Sequence, residues 1–97
     1  MYLEIVSPEA VLFSSEVDSV VVPGLNGEFQ MLSNHAPVVS ILVEGTVQIH
    51  THTKQHLELS ELSGKLVPHA DDDKILTLAI KSGTLEMKDN KVIVLAD

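Results

Sequence analysis

The apolar positions of this chain alternate with polar ones in short runs broken by turn residues, and no helical period is sustained. A period of two marks a strand with one buried face. In residues 2–6, Leu3 and Ile5 share a face, and Ser7-Pro8-Glu9 ends the run because proline lacks a donor and restricts its neighbour. Residues 17–22 are dense in β-branched valine and stop at Pro23-Gly24, with Leu25-Asn26-Gly27 as the following turn. Residues 28–32 form a short strand that leads into a corner at 33–37. Residues 38–43 and 46–53 face each other across Glu44-Gly45, and residues 84–88 and 91–96 flank Asp89-Asn90, so each pair reads as a hairpin. Residues 75–81 add a strand with Leu76, Leu78 and Ile80 on one face. Short strands joined by close turns predict an all-β sandwich or barrel. Residues 54–74 leave two readings open. They form an extended β connection, or a short helix through Leu57, Leu59, Leu62, Leu66 and Val67 that Ser63-Gly64 and Pro68 would interrupt.

Composition narrows the picture. Ninety-seven residues make one domain, 1–97, with 44% hydrophobic content but one Tyr, two Phe and no Trp. The core must therefore be aliphatic. A net charge of −8 with no arginine opposes binding to a phosphate backbone, so nucleic acid is excluded as a partner. With no cysteine there is no disulfide framework and no thiolate chemistry. The first residues show no basic region followed by an apolar stretch, and no run approaches the roughly 20 apolar residues of a membrane span. The expectation is a soluble protein of a reducing compartment.

Candidate chemistry is sparse. His50, His52, His56 and Glu58 would share one strand face, a set that suits iron, zinc or manganese. Gly45, His50, His52, Glu58 and Gly64 together resemble the first motif of the cupin family, although the gaps differ by about a residue and a second motif is missing. The competing reading is a solvated face, with Val47, Ile49, Leu57 and Leu59 buried opposite. His35 reads as a structural corner histidine, since neither Ser33 nor Ser40 lies in a nucleophile elbow. Asp71, Asp72 and Asp73 lack the spacing of a calcium loop and read as a solvated turn. No glycine-rich phosphate loop is present, and no cofactor is implied. Residues 38–43 and 92–96 are apolar on both faces, which fits either strands central to the sandwich or a face that a partner covers.

Four pieces in a fixed order carry a resemblance: Leu-Phe-Ser-Ser-Glu-Val from Leu12, Val-Pro-Gly-Leu-Asn-Gly-Glu-Phe-Gln-Met-Leu-Ser-Asn-His-Ala-Pro from Val22, Ala-Ile-Lys-Ser-Gly-Thr-Leu-Glu-Met from Ala79, and Lys-Val-Ile-Val-Leu-Ala-Asp at the end. This order resembles the amino-terminal domain of the ATP synthase epsilon subunit family. The resemblance implies a ten-stranded β-sandwich without catalytic residues. Such a domain couples the gamma subunit to the c-subunit ring in the central stalk, on the cytoplasmic face of a bacterial inner membrane, and is a monomer when isolated. It implies an interface made from Gly27, Glu28, Phe29, Gln30, Met31, Ser33, Asn34 and His35, with Glu28 as a rim charge. Gln30 and Asn34 stand where relatives commonly have glycine. Longer relatives continue into two inhibitory helices beyond the position of Asp97, so a chain of this form is expected to couple without braking. The metal-binding, cupin-like reading remains the alternative.

Overall fold

The computed structural model describes residues 1–51 and 75–97, together with the backbone of Val67 and Pro68. The described residues form nine strands of five or six residues and a tenth of two. They are β1 (Tyr2–Val6), β2 (Val11–Glu16), β3 (Ser19–Gly24), β4 (Gly27–Leu32), β5 (Val38–Leu42), β6 (Gly45–His50), β7 (Val67–Pro68), β8 (Ile75–Ile80), β9 (Gly83–Lys88) and β10 (Lys91–Ala96). The all-β expectation stands. The extended connection expected at 54–74 and its helical alternative lie outside the described residues, apart from β7, where Val67 pairs with Thr77 and Pro68 with Leu76.

Hydrogen bonding runs continuously through the order β2-β1-β10-β9-β5-β3-β6-β8-β7, with β4 on the free side of β3. Two layers result: β2-β1-β10-β9-β5 and β4-β3-β6-β8-β7. Among the described residues their strands pair at Gly24 with Leu42, flanked by the backbone bonds of Val43 to Pro23 and Leu25 to Ile41. β1 and β10 pair in parallel, from Tyr2 with Lys91 to Val6 with Leu95, which sets the first and last strands side by side in the first layer. The other described pairings are antiparallel.

The core is the set of inward positions of both layers. Leu3, Ile5, Phe13, Leu85, Met87, Val92 and Val94 come from the first, and Val20, Val22, Met31, Val47, Ile49, Leu76 and Leu78 from the second. A chain poor in aromatics thus fills its interior with branched aliphatics that suit a pleated surface. Burying each such side chain contributes roughly 1.5–3 kcal/mol relative to exposure.

One expected hairpin does not form: residues 38–43 and 46–53 do not pair across Glu44-Gly45, because β5 pairs with β9 in the first layer while β6 pairs with β3 and β8 in the second. Two boundaries also differ from expectation, for identifiable reasons. β2 is not legible as a strand because its register slips against β1 between Ile5 and Val6. That bulge lets the consecutive residues Leu12 and Phe13 both be buried, which breaks the period of two. β3 does not stop at Pro23-Gly24 but runs through them. The missing donor of Pro23 is tolerated because its carbonyl alone is used, accepting from the Val43 N–H at 2.9 Å. Glycine is needed at position 45 for space: a β-carbon there would meet Cβ of Pro23 at 2.7 Å.

Gly83 is the tightest of these close approaches, since a β-carbon would lie 2.3 Å from the backbone oxygen of Leu95. Gly83→Ala is expected to force β9 away from β10 and to destabilise the domain by about 1–3 kcal/mol. Urea unfolding followed by far-ultraviolet circular dichroism measures that loss.

Candidate interaction surface

β4 carries most of the interface residues expected from sequence, and among the described residues it is an edge strand that pairs with β3 only. Gly27 and Glu28 begin it and are exposed, Phe29 is half-buried, and Gln30 is exposed with its amide nitrogen donating to Ser19 Oγ at 3.1 Å. Met31 corrects the expectation. It is fully buried, 0% exposed, because it faces inward opposite Val20, and so it supports the strand from the core without offering a side chain to a partner. Ser33, Asn34 and His35 are exposed beyond the far end of β4.

The strand therefore separates the expected set into two groups. The turn that joins β3 to β4 lies at one end of the sandwich, and the 33–37 corner lies at the other. Six residues of strand hold them about 17 Å apart. The turn uses Gly27 at φ 120, a conformation that side-chain-bearing residues rarely adopt. At the corner, Asn34 takes φ 63 and its N–H donates to Asn90 Oδ1 at 2.8 Å. The His35 N–H donates to the Leu32 carbonyl at 3.2 Å, and its ring Nδ1 lies 2.8 Å from the Ala36 carbonyl. With Nδ1 on its own backbone, His35 reads as a corner residue.

Sequence reasoning marked residues 38–43 and 92–96 as apolar on both faces, and their outward positions lie on the outer face of the first layer. Register places Ile41, Thr84, Leu95, Val6 and Val11 in one transverse row across all five strands. Ile41 is 60% exposed, Leu95 52% and Val11 43%. Val39, at 75%, stands in the next row with Glu86, Ile93 and Glu4. Leu25 joins the band from the β3–β4 turn, where its N–H donates to the Ile41 carbonyl at 3.1 Å. Of the six large apolar residues that are exposed among the described residues, only Leu32 lies away from this band. The third row changes character: Lys88, Lys91, Tyr2 and Glu16 face solvent, with the Lys91 ammonium 5.8 Å from the centre of the Tyr2 ring. The outward apolar positions of residues 38–43 and 92–96 signalled the band, but only the pairing of β5, β9, β10, β1 and β2 aligned them.

The metal reading gains no support. His50 closes β6, and its Nε2 is buried without a hydrogen-bond partner among the described residues, while His52, His56 and Glu58 lie outside them. No group of three or more histidine or carboxylate side chains converges among the described residues.

The family model for the ATP synthase delta/epsilon chain β-sandwich domain matches residues 1–97. The chain belongs to this family. It is 35% identical over 95 residues to the ATP synthase epsilon chain of Desulforamulus reducens, covering 98% of this chain and 57% of that one. It is 38% identical over 95 residues to the epsilon chain of Chlorobaculum tepidum, covering 86% of that protein. It thus spans little more than half the length of the Desulforamulus relative but most of the Chlorobaculum one. The β-sandwich superposes on a chain in the central stalk and c-ring structure of the Tetrahymena thermophila mitochondrial ATP synthase, with a TM-score of 0.68 at 8% identity over 99% of this chain and 62% of that one. It also superposes on a chain of the Euglena gracilis mitochondrial ATP synthase, with a TM-score of 0.71 at 16% identity over 97% of this chain and 48% of that one. Those two likenesses establish the fold, and family membership leaves the cupin alternative without support.

The left-handed turn of this ATP synthase delta/epsilon-type sandwich is open to a direct test. Open space surrounds Gly27, so Gly27→Ala meets no steric obstacle beyond its own backbone. The substitution is expected to cost about 1–3 kcal/mol of stability from φ strain alone. Thermal unfolding checks it, with the change in midpoint near 4–8 °C per kcal/mol for a domain of this size.

Proposed function

We propose that this chain is a non-catalytic rotor component of an ATP synthase, a central-stalk domain that ties the gamma subunit to the c-subunit ring. The observation that carries this reading is the apolar band on the outer face of the first layer, within a domain of the delta/epsilon β-sandwich family. A sheet face that exposes Ile41, Leu95, Val11 and Val39 in adjoining rows beside Leu25 suits a broad contact with another protein. Torque transmission needs such a contact more than it needs a cleft with reactive groups, because what must be preserved is relative position under load. The hollow beside the band, about 360 Å³ between residues 24–29 and Val38, Val39 and Ser40, is shallow and carries one carboxylate, Glu28.

The two ends of β4 divide the partners. Gly27 and Glu28 are assigned to the c ring, where the exposed carboxylate of Glu28 meets basic loop groups and sets register. The apolar band, which begins beside that turn at Leu25 and Ile41, and the Ser33, Asn34 and His35 corner at the opposite end are both assigned to gamma, as one contact that runs along the strands over the outer face of the first layer. A single flat ring surface does not reach both ends of a strand this long. Membrane association then comes through the complex, on the cytoplasmic face of a bacterial inner membrane. The isolated chain is a monomer that carries an acidic net charge of −8.

Binding to purified gamma subunit and detergent-solubilised c ring from the same organism tests the assignment. Ile41→Asp and Leu95→Asp are expected to leave the fold intact, since both side chains already face water, and to weaken gamma binding by at least tenfold, as loss of an interface anchor does. Glu28→Lys is expected to slow association with the ring and invert its salt dependence while gamma binding stays unchanged. Wild-type chain that binds neither component would sink the rotor reading.

A further inference from the structure

The 33–37 corner is held by more than its own residues. Asn34 holds φ 63, a backbone region that a β-carbon disfavours and that glycine occupies freely. Asparagine tolerates that region better than most residues, and the turn is closed locally by the His35 N–H donating to the Leu32 carbonyl at 3.2 Å. A further restraint comes from elsewhere in the chain: the Asn34 N–H donates to Oδ1 of Asn90, 56 residues later, at 2.8 Å. Asn90 sits at φ 62 in the tight turn between β9 and β10, with Asp89 at φ 53. Both central positions of such a turn accept glycine, and the backbone of Asn90 already does its own work by accepting from the Tyr2 N–H at 3.1 Å. The turn has no use for the Asn90 side chain, whereas the corner does. On the other flank, Ser33 Oγ lies 3.5 Å from the Met1 amine, which is also 3.2 Å from Glu16 Oε2. Exposed corners with free backbone amides sample many conformations, and a side chain lent by a rigid hairpin removes that freedom before a partner arrives.

We infer that Asn90 is the positioning residue for the corner, and that it presents Asn34 and His35 to the gamma subunit by fixing the Asn34 amide. The inference deepens the rotor reading and rests on it for the partner. Asn90 acts through Asn34, so its removal acts on the corner while the turn at residues 25–28, at the opposite end of β4, is unaffected.

Two variants of the full chain test this. Asn90→Gly keeps the left-handed turn and deletes the acceptor, and Asn90→Asp keeps an acceptor oxygen at the same place. Amide exchange by NMR is expected to show the Asn34 amide of Asn90→Gly exchanging roughly tenfold faster, the loss of about one net hydrogen bond. Exchange of the Gly27 and Glu28 amides is expected to stay unchanged. Binding to purified gamma subunit is expected to weaken in Asn90→Gly and to recover in Asn90→Asp. Unchanged exchange at Asn34 would overturn the positioning role. Faster exchange with unaltered gamma binding would overturn its link to the partner. Wild-type chain that fails to bind gamma would remove the rotor reading and that link with it, while the exchange comparison would still decide whether Asn90 sets the corner.

Discussion

The closure of two aliphatic sheet faces on one another is the constraint from which the rest of this structure follows. A chain with two Phe and no Trp has few large side chains, so it fills a core only by bringing inward positions from nearly every strand together. Closure happens where β3 passes between the layers, and that place tolerates little bulk. A β-carbon on Gly24 would meet the Phe29 ring at 2.6 Å, and one on Gly45 would meet Pro23. Pro23 is compatible with its strand because its carbonyl, rather than an N–H, serves the neighbouring segment. Glycine and proline here belong to the joint between layers, where the sequence pattern suggests a turn.

Once the inner faces are committed, strict alternation commits the outer ones as well. Leu42 must point inward, so Ile41 and Val39 must point outward. Val94 and Ala96 buried leave Leu95 exposed on the same side. A residue type that favours strands thus appears on a face that a lone domain leaves wet, and the five-strand register gathers those residues into a band at one end. Exposed apolar area of this kind is unfavourable for an isolated acidic monomer and favourable for a subunit held in a larger machine.

The same geometry divides a stretch that reads as one motif. Residues 27–35 are contiguous, yet an extended strand moves the chain about 3.4 Å per residue and so delivers Glu28 and Asn34 to opposite ends of the sandwich. Contiguity in a β protein implies distance, while residues far apart in sequence become neighbours. Asn34 with Asn90 and the Met1 amine with Glu16 are such pairs. A linear motif marks the stretch expected to form an interface but does not reveal that it has two ends with different surroundings.

Alternation and turn chemistry were enough to place β1, β4, β8, β9 and β10, the Asp89-Asn90 hairpin and the all-β class, because these are local properties of backbone sterics and side-chain period. The ordered motifs were enough to place the chain in its family. β2 escaped because a bulge makes its pattern depend on β1, and the end of β3 escaped because Pro23-Gly24 belongs to a contact with residues 42–45. Met31 illustrates the same limit from the other side: nothing in its neighbourhood distinguishes a core methionine from an interface one until Val20 is set opposite it. The tertiary structure alone decided the apolar band, the separation of Glu28 from His35 and the tether from Asn90. Each depends on register between strands distant in sequence, and register is set by the joint burial of both layers, which no local window of the chain contains.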